Sequence, residues 1–515
     1  MAFTLTVAEL IDADTSGLLG KHATWARVAL SDVASILNGA PFDAALFSTT
    51  EGIPLVRIRD VIAGETSTYY TGGYDDAYLV RHGDLLVGMD GDFNSGFWGA
   101  RTALLNQRVC KILPIDAFYD KRLLALALPG YLAAINANTP SVTVKHLSSK
   151  TIGEIGLPLP PRPEQTRILE KLEELLSDLD AGVVELKAAQ KKLGQYRQSL
   201  LKAAVEGSLT ADWRKHNKST ETGAQLLERI LTERRKRWEA KQLAKFKEQG
   251  KTPPKDWQKK YSEPVQPDTT NLPKLPDGWM WASLGQLLEG LTSGSRDWAS
   301  YYDRGSCTFV MAQNVRPWRP DFAFRQYVDP PPDDRDRARS EIKKDDLLVT
   351  IVGANTGQAC RIHEALSSHF VCQSVALIRL VQPGLSEFVN AVLNSEGHGQ
   401  RQFREMNYGA GRPHLSFDQI ESVCIPLPPD AEQKEIIKRL ELIWHATKDV
   451  ESQTRLLFKQ STAQRKNLLK AAFSGQLVPQ DPNDEPASVL LERIRAERVQ
   501  RTAKPRRGMS VRATP

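Results

Sequence analysis

Apolar residues follow a heptad spacing in two long stretches of the chain. In the first stretch they recur at alternating steps of four and three, with Glu, Lys, Asp and Gln between them. This seam is formed by Ile168, Leu172, Leu175, Leu179, Gly182, Leu186, Ala189, Leu193, Tyr196, Leu200 and Ala203. A seam sustained over several heptads predicts a coiled-coil helix rather than an ordinary surface helix.

The second stretch repeats the first at a constant offset of 268 positions. The first copy runs from LPLPPRPEQ to SLLKAAVEGSL (157–209), and the second from IPLPPDAEQ to NLLKAAFSGQL (425–477). Gly207 and Gly475 favour the helix ends, while Pro161 and Pro163 favour the first start. The second seam has a polar middle and consists of Ile436, Leu440, Ile443, Thr447, Val450, Thr454, Leu457, Ser461, Gln464, Leu468 and Ala471. Because each seam needs a partner, we expect the two helices to pair antiparallel.

Short β-branched runs before each long helix also repeat. A tryptophan phrase begins at Trp25 and again at Trp279, and a DLLV strand with a Gly-rich loop begins at Asp84 and Asp346. The predicted fold is therefore α+β, with two tandem pseudo-repeated globular domains separated by a long antiparallel two-helix coiled coil. The predicted segments are a first globular domain (1–156), a helix (157–209), a basic helical and Pro-rich linker (210–275), a second globular domain (276–424), a helix (425–477) and a basic tail (478–515).

Length and composition place the chain among multidomain proteins of the cytoplasm. Its 515 residues exceed a single core, and no apolar run approaches the roughly 20 residues that span a bilayer. The N-terminus lacks a signal-peptide pattern. The five cysteines are scattered without a CxxC pair, which argues against disulfides and a zinc site. We predict no metal site.

Positive charge is concentrated in two segments of the chain. Residues 214–260 hold 15 Lys or Arg against 6 Asp or Glu, and residues 495–515 hold 7 against one. Basic segments on a near-neutral body indicate contact with a polyanion. Solvated helix faces are the alternative.

The search for catalytic motifs yields one weak candidate. Asp333, Glu341 and Lys343 resemble the carboxylates and lysine of a metal-dependent nuclease, but a charged loop before a strand explains them more simply, and the first half of the chain lacks the equivalent carboxylates. The loop GANTGQA lacks the Lys and Ser/Thr of a P-loop. We predict no catalytic residue.

Both globular domains carry Arg, Asn, Gln and aromatic residues in or next to their loops. Arg, Asn and Gln are the side chains that read base edges in the major groove. The candidates in the first domain are Arg57, Arg59, Tyr69, Tyr70, Asn94, Trp98 and Arg101. Those in the second are Gln313, Asn314, Arg316, Trp318, Arg319, Asn355, Gln358, Arg361, Asn407, Tyr408 and Arg412. The two domains share a framework but differ in these loops, as two readers of different DNA sequences would.

The doubled motif from PLPP to KAA, with the DLLV strands, resembles the specificity subunit of type I restriction-modification systems. The resemblance covers nearly the whole chain. It implies two target-recognition domains that each read half of a split double-stranded DNA site. It also implies a coiled coil that sets the gap between the half-sites.

The resemblance implies a non-catalytic subunit that borrows its chemistry from partners. Two modification subunits would bring S-adenosylmethionine and the adenine methyltransferase site, and a restriction subunit would bring ATP hydrolysis and DNA cleavage with Mg²⁺. This chain itself is expected to bind no cofactor and no membrane. The alternatives are a coiled-coil scaffold, structural or inhibitory, that no longer reads DNA, and a self-contained metal-dependent nuclease.

Overall fold

The computed structural model describes residues 5–140, 145–295, 297–407, 411 and 413–503. Residues 501–503 are described by their backbone alone. By residue number the chain divides into two compact units. Unit 1 comprises residues 1–187 and 454–515, and unit 2 comprises residues 188–453.

The first half of the chain is a mixed domain that leads into a long helix. Its strands are β1 (Ala26–Ala29), β2 (Ala34–Asn38), β3 (Phe47–Ser48), β4 (Ile53–Val56), β5 (Tyr69–Tyr70), β6 (Leu79–Val80), β7 (Leu85–Gly88), β8 (Ser95–Phe97), β9 (Ala103–Leu105), β10 (Val109–Pro114) and β11 (Gly156–Leu159). Its helices are α1 (Val7–Asp12), α2 (Leu30–Val33), α3 (Lys121–Ala137), α4 (Ser149–Gly153) and α5 (Arg162–Val205).

The second half repeats this order after a helical linker. The linker holds α6 (Ala211–His216) and α7 (Gly223–Glu248), and the later helices are α8 (Leu284–Leu287), α9 (Arg337–Ser340), α10 (Ser386–Leu393), α11 (Gly399–Asn407), α12 (Phe417–Ser422), α13 (Asp430–Phe473) and α14 (Ala487–Ala503). The strands are β12 (Met280–Ser283), β13 (Leu288–Ser293), β14 (Tyr302–Val310), β15 (Gln326–Val328), β16 (Leu347–Thr350), β17 (Ala359–Arg361), β18 (His369–Val371), β19 (Val375–Leu380) and β20 (Cys424–Leu427).

The two domains share two sheets and differ in a third. The pair β1-β11 corresponds to β12-β20, and the four-stranded sheet β2-β10-β7-β8 corresponds to β13-β19-β16-β17. The third sheet has five strands in the first domain, in the order β3-β5-β4-β9-β6, and three in the second, β15-β14-β18. The predicted α+β repeat is confirmed. Of the predicted reading residues, Tyr69 and Tyr70 lie on the third sheet of the first domain, and Arg57 and Gln313 lie in the loops that follow its strands in the two domains.

A carboxylate opens the central DLLV strand in both domains. Asp346 Oδ2 lies 2.6 Å from Arg379 Nη2 on the neighbouring strand, and Asp84 Oδ2 lies 3.2 Å from Lys111 Nζ. Each carboxylate also accepts a hydrogen bond from the backbone N–H three residues before it, at 2.7 and 2.8 Å. This double use of the side chain, in a turn and across the sheet, explains why aspartate precedes both LLV strands.

The two long helices have the same length and the same ends. Helices α5 and α13 both contain 44 residues, and their bounds differ by the offset of the sequence repeat. Gly207 and Gly475 follow them with φ of 76° and 73°, a conformation that glycine adopts without steric cost. The N–H of Leu209 then donates to Ala203 O at 2.9 Å, and that of Gln476 to Ala471 O at 2.8 Å. The predicted glycine ends are confirmed.

The helices run antiparallel within each unit. In unit 1, Arg465 Nη1 on α13 lies 2.5 Å from Asp180 Oδ1 on α5. In unit 2, Arg197 on α5 donates to Thr447 Oγ1 at 3.0 Å and to Glu451 Oε2 at 2.9 Å on α13. Arg197 and Arg465 are equivalent positions of the repeat, so the same arginine crosses to the other helix in both units.

The predicted seam is buried near the helix starts and fails in the middle of α13. Ile168 and Leu172 on α5 and Ile436 and Leu440 on α13 are buried. The seam positions Leu175, Leu179, Leu186, Leu193, Leu200, Ile443 and Leu468 are half-buried.

Val450 and Leu457 were predicted in the seam but are 48% and 45% exposed. Thr447 and Thr454 are the buried residues of that segment. Both threonines are positions of the predicted seam, and Arg197 donates to Thr447 across the helix pair. The seam therefore continues through its threonines and fails at Val450 and Leu457.

A tryptophan and a glutamate join each domain to its own long helix. In unit 1, Trp25 Nε1 donates to Glu164 Oε2 at 2.9 Å, and in unit 2, Trp279 Nε1 donates to Glu432 Oε2 at the same distance. Both glutamates are buried. The segment that follows the other long helix contacts the same carboxylate, through Gln480 in unit 1. Each unit is therefore completed by residues from both repeats.

The basic linker belongs to unit 2 and contains the predicted helix, α7, followed by an extended segment (249–275). Helix α7 buries Leu226 and Ile230 in the core of the second domain. Trp238 of α7 stacks on Trp257 of the extended segment, with ring centroids 5.8 Å apart. Helix α14 is equivalent in unit 1, where Leu490 and Ile494 are buried in the first domain's core. Where the helices can be described, none is long and apolar enough to cross a membrane.

Candidate nucleic-acid interface

The first domain presents two arginines and a tyrosine at the end of its third sheet. Strand β4 ends at Val56, and Asp60 Oδ2 accepts the N–H of Arg57 at 2.9 Å, which fixes the turn that exposes Arg57 and Arg59. Arg59 Nη2 donates to Thr68 Oγ1 at 3.2 Å.

Tyr69 follows Thr68 in the chain and connects this turn to the Gly-rich loop. The guanidinium of Arg101 lies 5.4 Å from the Tyr69 ring centroid. The structure therefore places the exposed Arg59 and Arg101 beside the half-buried Tyr69, in one surface patch with cationic and aromatic character. Such a patch suits both phosphate contact and base contact.

Three other candidates of the first domain are wholly or partly buried. Trp98 is 0% exposed, and its Nε1 donates to Arg101 O at 2.8 Å. Tyr70 is buried, with its ring 4.9 Å from that of Phe42. Asn94 belongs to the Gly-rich loop and is half-buried, and its Oδ1 has no hydrogen-bond partner among the described residues. The prediction that these side chains contact DNA is corrected for Trp98 and Tyr70, because burial removes them from the surface.

The second domain exposes its candidates after strand β14 and beside the loop between β16 and β17. Gln313 and Arg319 are exposed, while Arg316, Asn355 and Gln358 are half-buried. Arg316 Nη1 lies 3.5 Å from Gln358 Oε1. The structure thus brings together a guanidinium and an amide from two separate loops.

Asn314 and Arg361 are occupied by contacts within the domain. Asn314 is 1% exposed; its Oδ1 accepts the N–H of Met311, and its Nδ2 donates to two backbone carbonyls at 2.9 and 2.7 Å. Arg361 pairs with Asp345 and Glu387. The prediction that Asn314 and Arg361 read bases is corrected, since their polar atoms already have partners.

Asn407 also closes a loop rather than projecting freely. Its Nδ2 donates to Phe403 O at 2.9 Å, and its Oδ1 accepts the N–H of His414 at 2.9 Å. Tyr408 and Arg412 lie outside the described residues.

Trp318 joins the second domain to the helix pair. Its ring centroid lies 4.2 Å from that of Trp444 on α13, and the guanidinium of Arg197 lies 5.3 Å from the Trp444 ring. Trp318 has a positive φ of 78°. Gly64 lies as far after Trp25 as Trp318 lies after Trp279, and it has a similar φ of 71°. A bulky residue in this region is strained. The structure assigns Trp318 to packing within unit 2.

The sequence alone did not predict the contacts of Trp25 with Glu164 and of Trp279 with Glu432, although it contained a signal for them. Trp25 and Trp279 were noted only as phrase starts, and Glu164 and Glu432 only as part of the PLPP motif. Their recurrence in both halves was the available signal. The mutual contact of Trp318 and Trp444 left no such signal, because neither residue recurs in the first half.

The described part of the chain contains no cluster of three or more His, Cys, Asp or Glu that could form a metal site. Burial raises the pKa of Glu164, and burial lowers the pKa of His363. Both groups lie in structural contacts, Glu164 with Trp25 and His363 with Arg361.

Comparison with known proteins matches these features to one family. The family model described as "Type I restriction modification DNA specificity domain" matches residues 22–190 and 361–455. The chain is 34% identical to the type I restriction enzyme EcoBI specificity subunit of Escherichia coli, over 97% of both chains. The chain belongs to the family of type I restriction-modification DNA specificity subunits. The two mixed domains are therefore its target-recognition domains.

More distant specificity subunits agree over most of their length. The type I restriction enzyme StySPI specificity subunit of Salmonella potsdam is 21% identical over 92% of this chain and 95% of its own. A solved structure titled as the assembly and conformational transition of the type I R-M system aligns with a TM-score of 0.55. It is 16% identical and covers 88% of this chain and 98% of its own, which supports the fold. The scaffold and nuclease alternatives receive no support.

Proposed function

We propose that this specificity subunit reads a bipartite double-stranded DNA site, one half with each target-recognition domain. The observation that carries the proposal is the pair of domains with the same four-stranded frame and different third sheets. The frame supplies the same rigid support in both domains. The exposed residues that differ, such as Arg101 in one domain and Arg319 in the other, supply two different sequence preferences.

The subunit also serves as a scaffold in this proposal. Two modification subunits and a restriction subunit would assemble on it, with S-adenosylmethionine, ATP and Mg²⁺ bound by those partners. The chain itself would be non-catalytic and would act in the cytoplasm. The repeated helix pair supports two equivalent modification subunits, because equivalent surfaces recur at an offset of 268 residues.

Purified chain incubated with a DNA library tests the catalytic part of this proposal. With S-adenosylmethionine and Mg²⁺ present, the chain alone should neither methylate nor cut the DNA. Addition of the modification subunit should produce methylated adenine. Modification or cleavage by the chain alone would replace the proposal with an enzymatic one.

A further inference from the structure

An arginine fills a slot beside the tryptophan–glutamate pair of unit 2. Arg214 Nη2 donates to Glu432 Oε1 at 2.7 Å, and Arg214 Nε donates to the same oxygen at 3.0 Å. The guanidinium also lies 5.7 Å from the Trp279 ring centroid. A carboxylate, an indole and a guanidinium thus form a compact ion pair with cation–π character.

The equivalent pair in unit 1 lacks this arginine. Trp25 and Glu164 keep the same hydrogen bond at 2.9 Å. Counted from the glycines that end the long helices, Gly207 and Gly475, the position of Arg214 is taken by Pro482. The side chains that donate to the Glu164 carboxylate, Trp25 and Gln480, are both neutral.

A cavity of about 650 Å³ lies beside this pair in unit 1. Trp25 and Glu164 line it together with Asp481, Pro482, Asp484 and Glu485. Its full lining contains four carboxylates and no lysine or arginine. Arg167 pairs with Asp484 at 2.7 Å and Arg493 pairs with Glu485, so two of the four carboxylates already have a guanidinium partner, whereas Glu164 is hydrogen-bonded by Trp25 and Gln480.

We propose that this cavity is a binding site for a guanidinium group. The repeat supplies the argument: the same indole and carboxylate bind a guanidinium in unit 2, within the same chain. A buried carboxylate that no guanidinium contacts directly is costly, and Glu164 is 1% exposed. Burial raises the pKa of Glu164, and its hydrogen bonds from Trp25 and Gln480 and the nearby charge of Arg167 offset that rise only in part.

In the cell, the group would be the side chain of an arginine, since free guanidinium is scarce. Two sources have this chemistry. One is the C-terminal segment of this chain, which contains Arg506, Arg507 and Arg512. The other is an arginine of a partner subunit.

Methylguanidinium is the probe, and thermal unfolding of the full-length chain is the readout. Tetramethylammonium at equal ionic strength is the control cation, because it carries charge but no N–H donors. We expect methylguanidinium to raise the unfolding midpoint by about 2–4 °C in a saturable way, with no matching rise from tetramethylammonium. Equal response to both cations would overturn the proposal.

Two variants test the slot itself. Pro482→Arg places a guanidinium where unit 2 has one, so it should abolish the methylguanidinium response. Arg214→Ala empties the slot of unit 2, and methylguanidinium should restore part of the lost stability. Should Pro482→Arg fold poorly, rescue of Arg214→Ala still reports on the geometry. The site would be refuted if methylguanidinium did not stabilise Arg214→Ala and if it raised the unfolding midpoint of Pro482→Arg as much as that of the parent.

A variant with Arg506, Arg507 and Arg512 all changed to Gln separates the two sources. If the chain's own segment occupies the slot, the parent should respond weakly and this variant strongly. If an external arginine is the natural occupant, both chains should respond equally. No response in either chain would overturn the proposal.

Discussion

Glu164 and Glu432 hold the same position of the repeat but have different partners. Glu432 accepts hydrogen bonds from Arg214 and Trp279, whereas Glu164 accepts from Trp25 and Gln480. The same position of the repeat therefore has a direct guanidinium partner in unit 2 and only neutral hydrogen-bond donors in unit 1. Substitutions at these two sites should have opposite consequences.

Replacement of each glutamate by glutamine measures this difference. Glu432→Gln should lower the free energy of unfolding by about 1–3 kcal/mol, because the Arg214 guanidinium loses its charged acceptor. Glu164→Gln should leave the free energy unchanged or raise it, since it removes a buried charge and keeps an acceptor for Trp25. Urea unfolding at neutral pH gives both values. A larger loss in Glu164→Gln than in Glu432→Gln would contradict this account.

The pH dependence of unfolding follows from the raised pKa of Glu164. The folded chain takes up a proton there more readily than the unfolded chain, whose glutamate titrates at about pH 4.3. The contribution of this group is fully present below that pH and is lost as pH rises through the raised folded pKa. Glu164→Gln should flatten the part of the stability curve that begins at about pH 4 and extends upward through the raised folded pKa. An unchanged slope in the variant would contradict the assignment.

Substitution of two neighbouring arginines in the second domain should distinguish a role in DNA contact from a role in stability. Arg319 is exposed, whereas Arg361 pairs with Asp345 and Glu387. Arg319→Ala should keep the parent's unfolding midpoint and weaken DNA binding by about 1–3 kcal/mol if it contacts a base edge. Arg361→Ala should lower the midpoint, since two carboxylates lose their cation. Binding by fluorescence anisotropy and unfolding by calorimetry test this pair, and the reverse pattern would contradict it.

At the scale of elements, the helices were more predictable than their contacts. The repeated ends and the two glycines predict helices that the structure places at 162–205 and 430–473. The heptad count failed at Val450 and Leu457 because a polar bridge from Arg197 to Thr447 and Glu451 sets the facing side there. Spacing within one helix does not reveal a hydrogen bond to the other.

Two leucines on α13 test the corrected seam. Leu440 is 5% exposed and Leu457 is 45% exposed. Leu440→Ala should cost about 2–5 kcal/mol of stability through the lost contacts and the cavity left behind, whereas Leu457→Ala should change stability by less than about 0.5 kcal/mol. Equal costs in chemical unfolding would restore the heptad seam as first predicted.

The recognition surface was less predictable than the frame. The DLLV strands and their loops follow from local pattern, because β-branched and apolar runs form strands wherever they pack. Asn314 and Trp98 resembled base readers by residue type, yet both are buried. Trp98 packs in a core cluster with Val56 and Val80, and the amide of Asn314 bonds to backbone groups of its own loop. Residue type alone therefore overestimates the reading set.

At the scale of the whole molecule, each unit is assembled from both repeats. Unit 1 contains the first target-recognition domain and also residues 454–515, which follow the second domain. Glu164 and Glu432 connect these segments within their units. This arrangement predicts that the two domains act as separate readers on a shared frame, so that one can be exchanged without altering the specificity of the other.

Sequencing of methylated adenines tests this claim most directly. The full system is expressed in a host that lacks other methyltransferases, once with this chain and once with residues 25–156 replaced by the corresponding domain of another specificity subunit. The parent should methylate a site with two half-sites and a fixed gap, and the exchange should change one half-site while the other half-site and the gap remain. A contiguous site in the parent, or a change in both half-sites after the exchange, would contradict the account.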